Sequence, residues 1–428
     1  MFYRRVAVVL MLAAISVSVP AAASAAPVTQ AVSRTAAGAF GNHPSAAPGV
    51  SADGRYVAFS SHATNLVPGD TNVRQDVFVR DLTTGTIVRA SLGPGGVQAN
   101  AACTQARISG NGRYVTFTSS ATNLATVGTG GQPNVYVRDL STGVTTLVSI
   151  GLGGHAANAD SAGASISADG RYIAFASDAS NLVAGDTNGQ SDVVVRDMTT
   201  GVTSLVSWTS TGGRANGFSD GASISADGNL IAFESGATNL VAHDTNGVID
   251  VFLRDRTAGT TKRISTGPGG VQANGEVTQP TMAANGTHVA FVSQASNLVA
   301  TDTDTNGDVV RRTLSSGVNV QVSFRTDDLP GSFANEPSIS ANGNLVAFTT
   351  SSDLVPTDTD AGQDVYVRNI SAGTNELISV DLSGGGAGLD TAAPSISSQG
   401  HRVAFSSSAS TLVAGDANNT QDVFARSR

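Results

Sequence analysis

Short apolar runs alternate with polar, glycine-marked breaks along this chain, and the pattern returns at a fixed interval. A glycine ending a tight turn stands at Gly54, Gly112, Gly170, Gly228, Gly286, Gly343 and Gly400, with spacings of 58, 58, 58, 58, 57 and 57 residues. Five residues beyond each lies a phenylalanine: Phe59, Phe117, Phe175, Phe233, Phe291, Phe348 and Phe405. A fixed period of this size marks a repeat architecture, and the phenylalanine is expected to fill the same core slot in every unit. Within one unit, residues 165–207 read as Ser-Ile-Ser, an Ala168-Asp169-Gly170 turn, Arg171 to Ala176, a long polar loop, Asp192 to Asp197, a Thr199-Thr200-Gly201 turn, and Thr203 to Ser207. These are four short β-rich runs separated by turn chemistry, without an intervening helical pattern. Four antiparallel strands per unit make a propeller blade. The predicted fold is therefore all-β, a seven-bladed β-propeller of four-stranded antiparallel blades.

The two ends complete the pattern. The last unit stops at Asp422-Val423-Phe424-Ala425-Arg426, its third strand, whereas Val28 to Ser33 resembles a fourth strand. Ser33 precedes Gly54 by 21 residues, the offset that Ser91, Ser149, Ser207 and Ser265 have from their glycines. The N-terminal strand is expected to complete the last blade and close the ring, covering a sheet edge that an open array would expose. An open solenoid would call for atypical end repeats, but these ends are complementary halves of an ordinary one.

A chain of 428 residues is too long for one core, which stops growing near ~250–300 residues; repetition resolves this. Residues 1–25 carry Arg4 and Arg5, an apolar run from Val6 to Val19, and Ala23-Ser24-Ala25, the pattern of a signal peptide cleaved after Ala25. The propeller is then residues 26–428, expected to be secreted, or periplasmic in a cell with an outer membrane. Beyond Val19 no apolar run approaches the ~20 residues of a membrane helix. A net charge of −9 with a single lysine, Lys262, gives no basic stripe for a phosphate backbone, so nucleic acid is not an expected partner. Cys103 is the only cysteine; no intramolecular disulfide can form, and it reads as a small buried hydrophobe. The protein is expected to be a monomer.

The run Ser167-Ala168-Asp169-Gly170-Arg171-Tyr172-Ile173-Ala174-Phe175, followed by Asp192-Val193-Val194-Val195-Arg196-Asp197-Met198-Thr199-Thr200-Gly201, resembles the WD40-like repeats of TolB-type propellers. The resemblance covers nearly all of the mature chain and implies the propeller fold. It implies little about function, because one fold hosts many activities. TolB carries an N-terminal α/β domain that has no counterpart in this sequence, so its role in the Tol system is not carried over. The prolyl-oligopeptidase relatives set a hydrolase domain beside a similar propeller, and no residues remain here for one.

The most specific local signal is Asp-x-(Asn/Asp)-x-x-x-Asp in the loop between second and third strands. It occurs as Asp70, Asn72, Asp76; Asp186, Asn188, Asp192; Asp244, Asn246, Asp250; Asp302, Asp304, Asp308; Asp358, Asp360, Asp364; and Asp416, Asn418, Asp422. The second unit has Gly128, Gly130 and Asn134 instead. Clustered oxygen donors suit a hard cation such as Ca²⁺, although Asp and Asn also cap turns without metal. Both readings stand at this level.

Other recurring residues read as structural or as surface features. Arg80, Arg138, Arg196, Arg254, Arg312, Arg368 and Arg426 recur near the end of strand three, where a guanidinium satisfies carbonyls or carboxylates more often than it forms an anion site. Asn100, Asn158, Asn216, Asn274 and Asn335 mark the connection between units, which alternation of strand direction puts on the same face as the acidic loops. Gly217-Phe218-Ser219-Asp220-Gly221 matches a hydrolase string, but that motif needs a strand-to-helix elbow. Some polysaccharide lyases use related propellers with a histidine-bound metal; His43, His62, His155, His243, His288 and His401 offer no shared ligand pattern. The expected function is an exported, non-enzymatic propeller binding a protein or cell-envelope glycan through its loop face, with Ca²⁺ as the candidate ion. The alternative is an extracellular polysaccharide lyase or hydrolase that uses the central channel.

Overall fold

The computed structural model describes residues 26–302, 304–324 and 333–428; the expected signal peptide lies outside them. Seven four-stranded antiparallel sheets form the seven blades of a propeller. Blade 1 consists of Ser45–Val50, Tyr56–Ser61, Asp76–Asp81 and Ile87–Arg89, and blades 2 to 6 repeat it at residues 103–147, 161–205, 219–263, 277–321 and 334–377. Blade 7 combines Thr391–Ile396, Arg402–Ser407 and Asp422–Ser427 with Thr29–Ala31, which pairs antiparallel with residues 424–426. The N-terminal strand thus closes the ring, as the serine offset predicts.

The first strand of each blade packs against the first strands of both neighbours, so these seven strands surround the central axis. The recurring phenylalanines lie on second strands and are all 0% exposed. In five blades the phenylalanine stacks on an aromatic ring of the third strand, as Phe59 does on Phe78 at 5.8 Å. The apolar core lies between blades: Val77 and Val79 of blade 1 pack in one cluster with Phe117 and Tyr136 of blade 2. Each blade buries one sheet face on the next, which makes ring closure the condition for burying all seven.

The glycine period has a conformational cause. All seven turn glycines have positive φ, from 71° to 81°, the region where a Cβ is strained. At Gly170 a Cβ would also come within 2.2 Å of the Tyr114 ring of the preceding blade. Inter-blade backbone hydrogen bonds circle this end of the ring: Ala52 N donates to Gly110 O, Asn111 N to Ala168 O, Ala168 N to Ala226 O, Ala226 N to Ala284 O, Asn285 N to Ala341 O, Ala341 N to Ser398 O, and Ser398 N to Ala52 O. The last of these joins blade 7 to blade 1. The Thr-Gly turns share this trimmed face, because Leu82 N donates to Arg55 O and Arg55 ion-pairs with Asp81 at 2.7 Å.

Candidate functional site

The opposite face carries the long loops. There the connection between blades is clamped to the loop between strands two and three by reciprocal asparagine contacts. Asn100 N donates to Asn123 Oδ1, Thr122 N donates to Asn100 Oδ1, and Asn123 Nδ2 donates to Gln98 O. Asn42, Asn158, Asn216 and Asn274 make the same clamp. Asn335, grouped with them by sequence, instead lies in an innermost strand opposite Thr349. The reason is register: Asn335 precedes its turn glycine by 8 residues, whereas Asn42 and the other clamp asparagines precede theirs by 12.

The last acid of the acidic motif begins strand three and is buried. In every blade its side chain accepts from a serine at the end of strand four, 2.5 Å for Ser91 to Asp76, Ser207 to Asp192, Ser265 to Asp250, Ser323 to Asp308, Ser379 to Asp364 and Ser33 to Asp422. Ser149 donates to Asn134 at 2.8 Å in blade 2. This position ties two strands together whether or not the motif is otherwise intact, so part of the signal is structural.

The remaining oxygens separate the blades into classes. In blade 1 the Arg89 guanidinium stands 3.4 Å from Asp70 and 3.5 Å from Asp76. In blade 4 Arg263 stands 2.8 Å from Asp244 and 3.3 Å from Asp250. In blade 3 Arg214, from the following connection, lies 3.6 Å from Asp186 and 4.0 Å from Asp192. In blade 7 the guanidinium of Arg34 donates to Ala414 O at 3.5 Å, and burial raises both Asp416 and Asp422, the latter to about 6, against the weaker pull of the Arg34 charge. The middle residue is asparagine in all four, and its amide donates inward: Asn188 to Asp192 at 2.9 Å, Asn246 to Asp250 at 2.8 Å and Asn418 to Asp422 at 2.7 Å, with Asn72 donating to Ala99 O.

Blades 5 and 6 have a third carboxylate in place of the amide. Asp302, Asp304 and Asp308, and likewise Asp358, Asp360 and Asp364, bring ligand oxygens within 4.8 Å of one another; among the described residues these are the two acidic groups able to hold a metal ion. Burial raises the carboxyl of Asp302 to about 6, with Asp308 and Asp304 adding to it. Burial, then the neighbouring Asp358 and Asp360 charges, pushes Asp364 up to about 6 against its Ser379 hydrogen bond. Crowded, buried negative charge is the common cause.

The arginines were not singled out as partners of the acids by sequence, although a signal exists. Thirteen residues after the last acid stand Arg89, Leu205, Arg263, Gln321 and Leu377; twenty-two after it stand Gln98, Arg214, Gln272 and Gly386. Of the strand-three arginines, by contrast, Arg80, Arg138, Arg196 and Arg312 donate to carbonyls of the preceding connection, as Arg80 does to Arg34 O at 2.9 Å and Arg312 to Thr266 O at 2.8 Å, while Arg254, Arg368 and Arg426 donate to a strand-four side chain. Ser219 of the hydrolase-like string opens an innermost strand and donates to Ser235 Oγ at 3.0 Å, without an elbow. The Cys103 thiol is buried, which pushes it up to about 12.

The channel is the second concave site, a cavity of about 390 Å³ lined by the seven innermost strands. Each of these strands bulges. The bulge places Ala47, Gln105, Gly163, Gly221, Gln279, Glu336 and Ala393 at positive φ. The polar members bridge blades: Gln105 Oε1 accepts from Gly163 N, Gln279 Oε1 from Glu336 N, and Glu336 Oε2 from Ala393 N. Arg107 and Glu336 are the charged residues of the lining.

No protein-family model matches the chain, and no curated protein sequence matches it. Similar solved structures exist. The β-propeller domain of the Trilobed protease from Pyrococcus furiosus is 10% identical over 90% of this chain and 95% of that one, with a TM-score of 0.55. An oligogalacturonate lyase in complex with manganese is 12% identical over 90% and 89%, TM-score 0.53. TolB proteins are also among them; that of Acinetobacter baumannii is 13% identical over 83% and 76%, TM-score 0.41. At these identities the likeness is one of fold. The Pyrococcus domain is described as having an open velcro topology, whereas here residues 29–31 pair with the last strand.

Proposed function

We propose that this is an exported, non-enzymatic propeller that binds a protein or cell-envelope glycan through its loop face, with Ca²⁺ held in the acidic loops. The observation that carries the reading is where large apolar side chains remain exposed. Val97, Leu152, Val271 and Leu382 stand out from connections between blades, Leu152 at 56% and Leu382 at 68% exposure. Val73, Phe218, Phe333 and Leu389 extend the same face. Among the described residues, eight of the thirteen exposed large apolar residues lie at this end of the ring, the other five being Val28, Val88, Val144, Val202 and Val318, and apolar exposure on loops held by a rigid scaffold favours a contact surface. Six of the eight are aliphatic, Phe218 and Phe333 being the exceptions, and that character fits a protein surface better than a sugar.

The test compares binding to arrayed envelope proteins and glycans by a variant carrying Leu152→Asp with Val271→Asp and by a control carrying Val144→Asp with Val202→Asp on outermost strands. Loss in the first and retention in the second supports the reading. Equal binding by both, or no binder for the folded wild type, counts against it.

One observation favours a second reading, an extracellular lyase or hydrolase acting in the channel. Gln105, Arg107, Gln279 and Glu336 break the seven-fold pattern at the axis. Turnover of a plant or bacterial polysaccharide, abolished by Arg107→Ala, would establish that reading instead.

A further inference from the structure

We infer that the loop-face cation sites are two, the tri-aspartate pockets of blades 5 and 6, and that arginine stands in for the cation in blades 1, 3 and 4. The inference refines the acidic-loop part of the proposed function, but it concerns the chain alone and needs no partner.

Blade 6 shows the geometry most fully. Asp358 is 4% exposed, and its Oδ1 has no hydrogen-bond partner. Its Oδ2 accepts from the Tyr366 hydroxyl, which fixes the carboxylate so that Oδ1 is the free atom. Asp360 is held by Gly362 N at 2.7 Å and Gly388 N at 3.0 Å, and Asp364 by Ser379 at 2.5 Å. The three acids are therefore fixed by donors outside the cluster.

The space between them is open because of Gly386. A Cβ there would lie 2.3 Å from Asp360 Oδ2 and 2.6 Å from Asp358 Oδ1. In blade 3 the corresponding residue is Arg214, whose guanidinium reaches the acids from this direction. The other arginine position is apolar too: Leu377 pairs opposite Tyr366 where Arg263 pairs opposite Phe252. Blade 6 thus lacks both arginines and has one more carboxylate.

Blade 5 brings together Asp302, Asp304 and Asp308 in the same way, the second arginine position falling outside the described residues. Asp302 is 5% exposed with Oδ2 unpartnered, and Gln321 stands where Arg89 and Arg263 do in their blades. Asparagine in the middle position donates to its neighbouring carboxylate; aspartate cannot, and two facing carboxylates require a shared proton or cation. Carboxylate oxygens grouped on one loop suit Ca²⁺, which takes 6–8 oxygens in irregular geometry, better than Mg²⁺ with its strict octahedron.

The experiment is calorimetric titration of CaCl₂ into the chelator-treated mature protein, alongside Asp304→Asn, Asp360→Asn and the double variant. Asparagine is the residue four other blades carry at this place, so these variants are expected to fold, as checked by circular dichroism. Binding of about two Ca²⁺ per chain, about one in each single variant and none in the double supports the inference. A second line uses Gly386→Ala, whose methyl fills the blade 6 pocket and is expected to remove one site. No Ca²⁺ binding by the folded wild type, or titrations that the two asparagine changes leave unaltered, overturns it. Because no partner enters the assay, failure here leaves the binding role of the apolar loop face to its own test.

Discussion

Replacing Arg263 by leucine, the residue that blade 6 carries at this place, asks whether a guanidinium neutralises the acidic loop of blade 4. Arg263 is nearly buried, and so are Asp244 and Asp250, at side-chain exposures of 9%, 4% and 1%. Removing one partner of a buried ion pair leaves an uncompensated charge and costs about 3–5 kcal/mol. With an unfolding entropy of roughly 2.1 cal/mol/K per residue, a chain of about 400 residues loses about 1 °C for each kcal/mol, so the melt should fall by about 4–6 °C. Differential scanning calorimetry in chelator measures this directly. Adding Asn246→Asp and Gln272→Gly then gives blade 4 the blade 6 residue at all three places, and titration should count one more Ca²⁺ than in the wild type. A melt within about 1 °C of wild type would refute the reasoning, since the arginine would not then be balancing the acids.

Other outcomes follow from the same structure. In chelator, stability should fall as pH rises from about 4 to 6, because Asp302, Asp364 and Asp422 are raised to about 6 in the folded protein. A carboxyl that holds its proton more tightly when folded stabilises fully below its unfolded pKa and loses that contribution as pH passes its folded value; melts across pH check this, and Ca²⁺ should remove the share of the fall that comes from Asp302 and Asp364 and leave that of Asp422. Asp81, Asp139 and Asp197, lowered chiefly by hydrogen bonds from Arg55, Arg113 and Arg171, act with the opposite sign, contributing above about pH 4 and losing it in stronger acid. Arg113→Ala should nonetheless cost less than about 1 kcal/mol in urea titration, because that pair is exposed at the rim. Ser33→Ala removes the hydroxyl that donates to Asp422 and accepts from Val423 N, and should cost about 1–3 kcal/mol with faster proteolysis at the ring closure.

The fold was readable because its causes repeat. A positive-φ glycine, a buried phenylalanine and a strand-four serine each occupy one place in a unit, and seven copies separate cause from accident. Closure was readable for the same reason, since Ser33 keeps the offset of its counterparts and bonds Asp422 as Ser91 bonds Asp76. The candidate site was readable only in outline. The motif groups six loops that share a buried strand-linking acid, but what balances the charge in blades 1, 3 and 4 comes from residues 13 or 22 positions later. Arg89 and Leu377 look unrelated along the sequence and become alternatives only when the register aligns them. The channel was less legible still: a bulge, not a motif, turns Gln105, Gln279 and Glu336 toward one axis.

The most direct test is the position of cations in crystals of residues 26–428 grown with CaCl₂, located by anomalous scattering. The account predicts ions among Asp302, Asp304 and Asp308 and among Asp358, Asp360 and Asp364, and none where Arg89, Arg214 and Arg263 stand. Ions in all six acidic loops, or in neither tri-aspartate pocket, would contradict it.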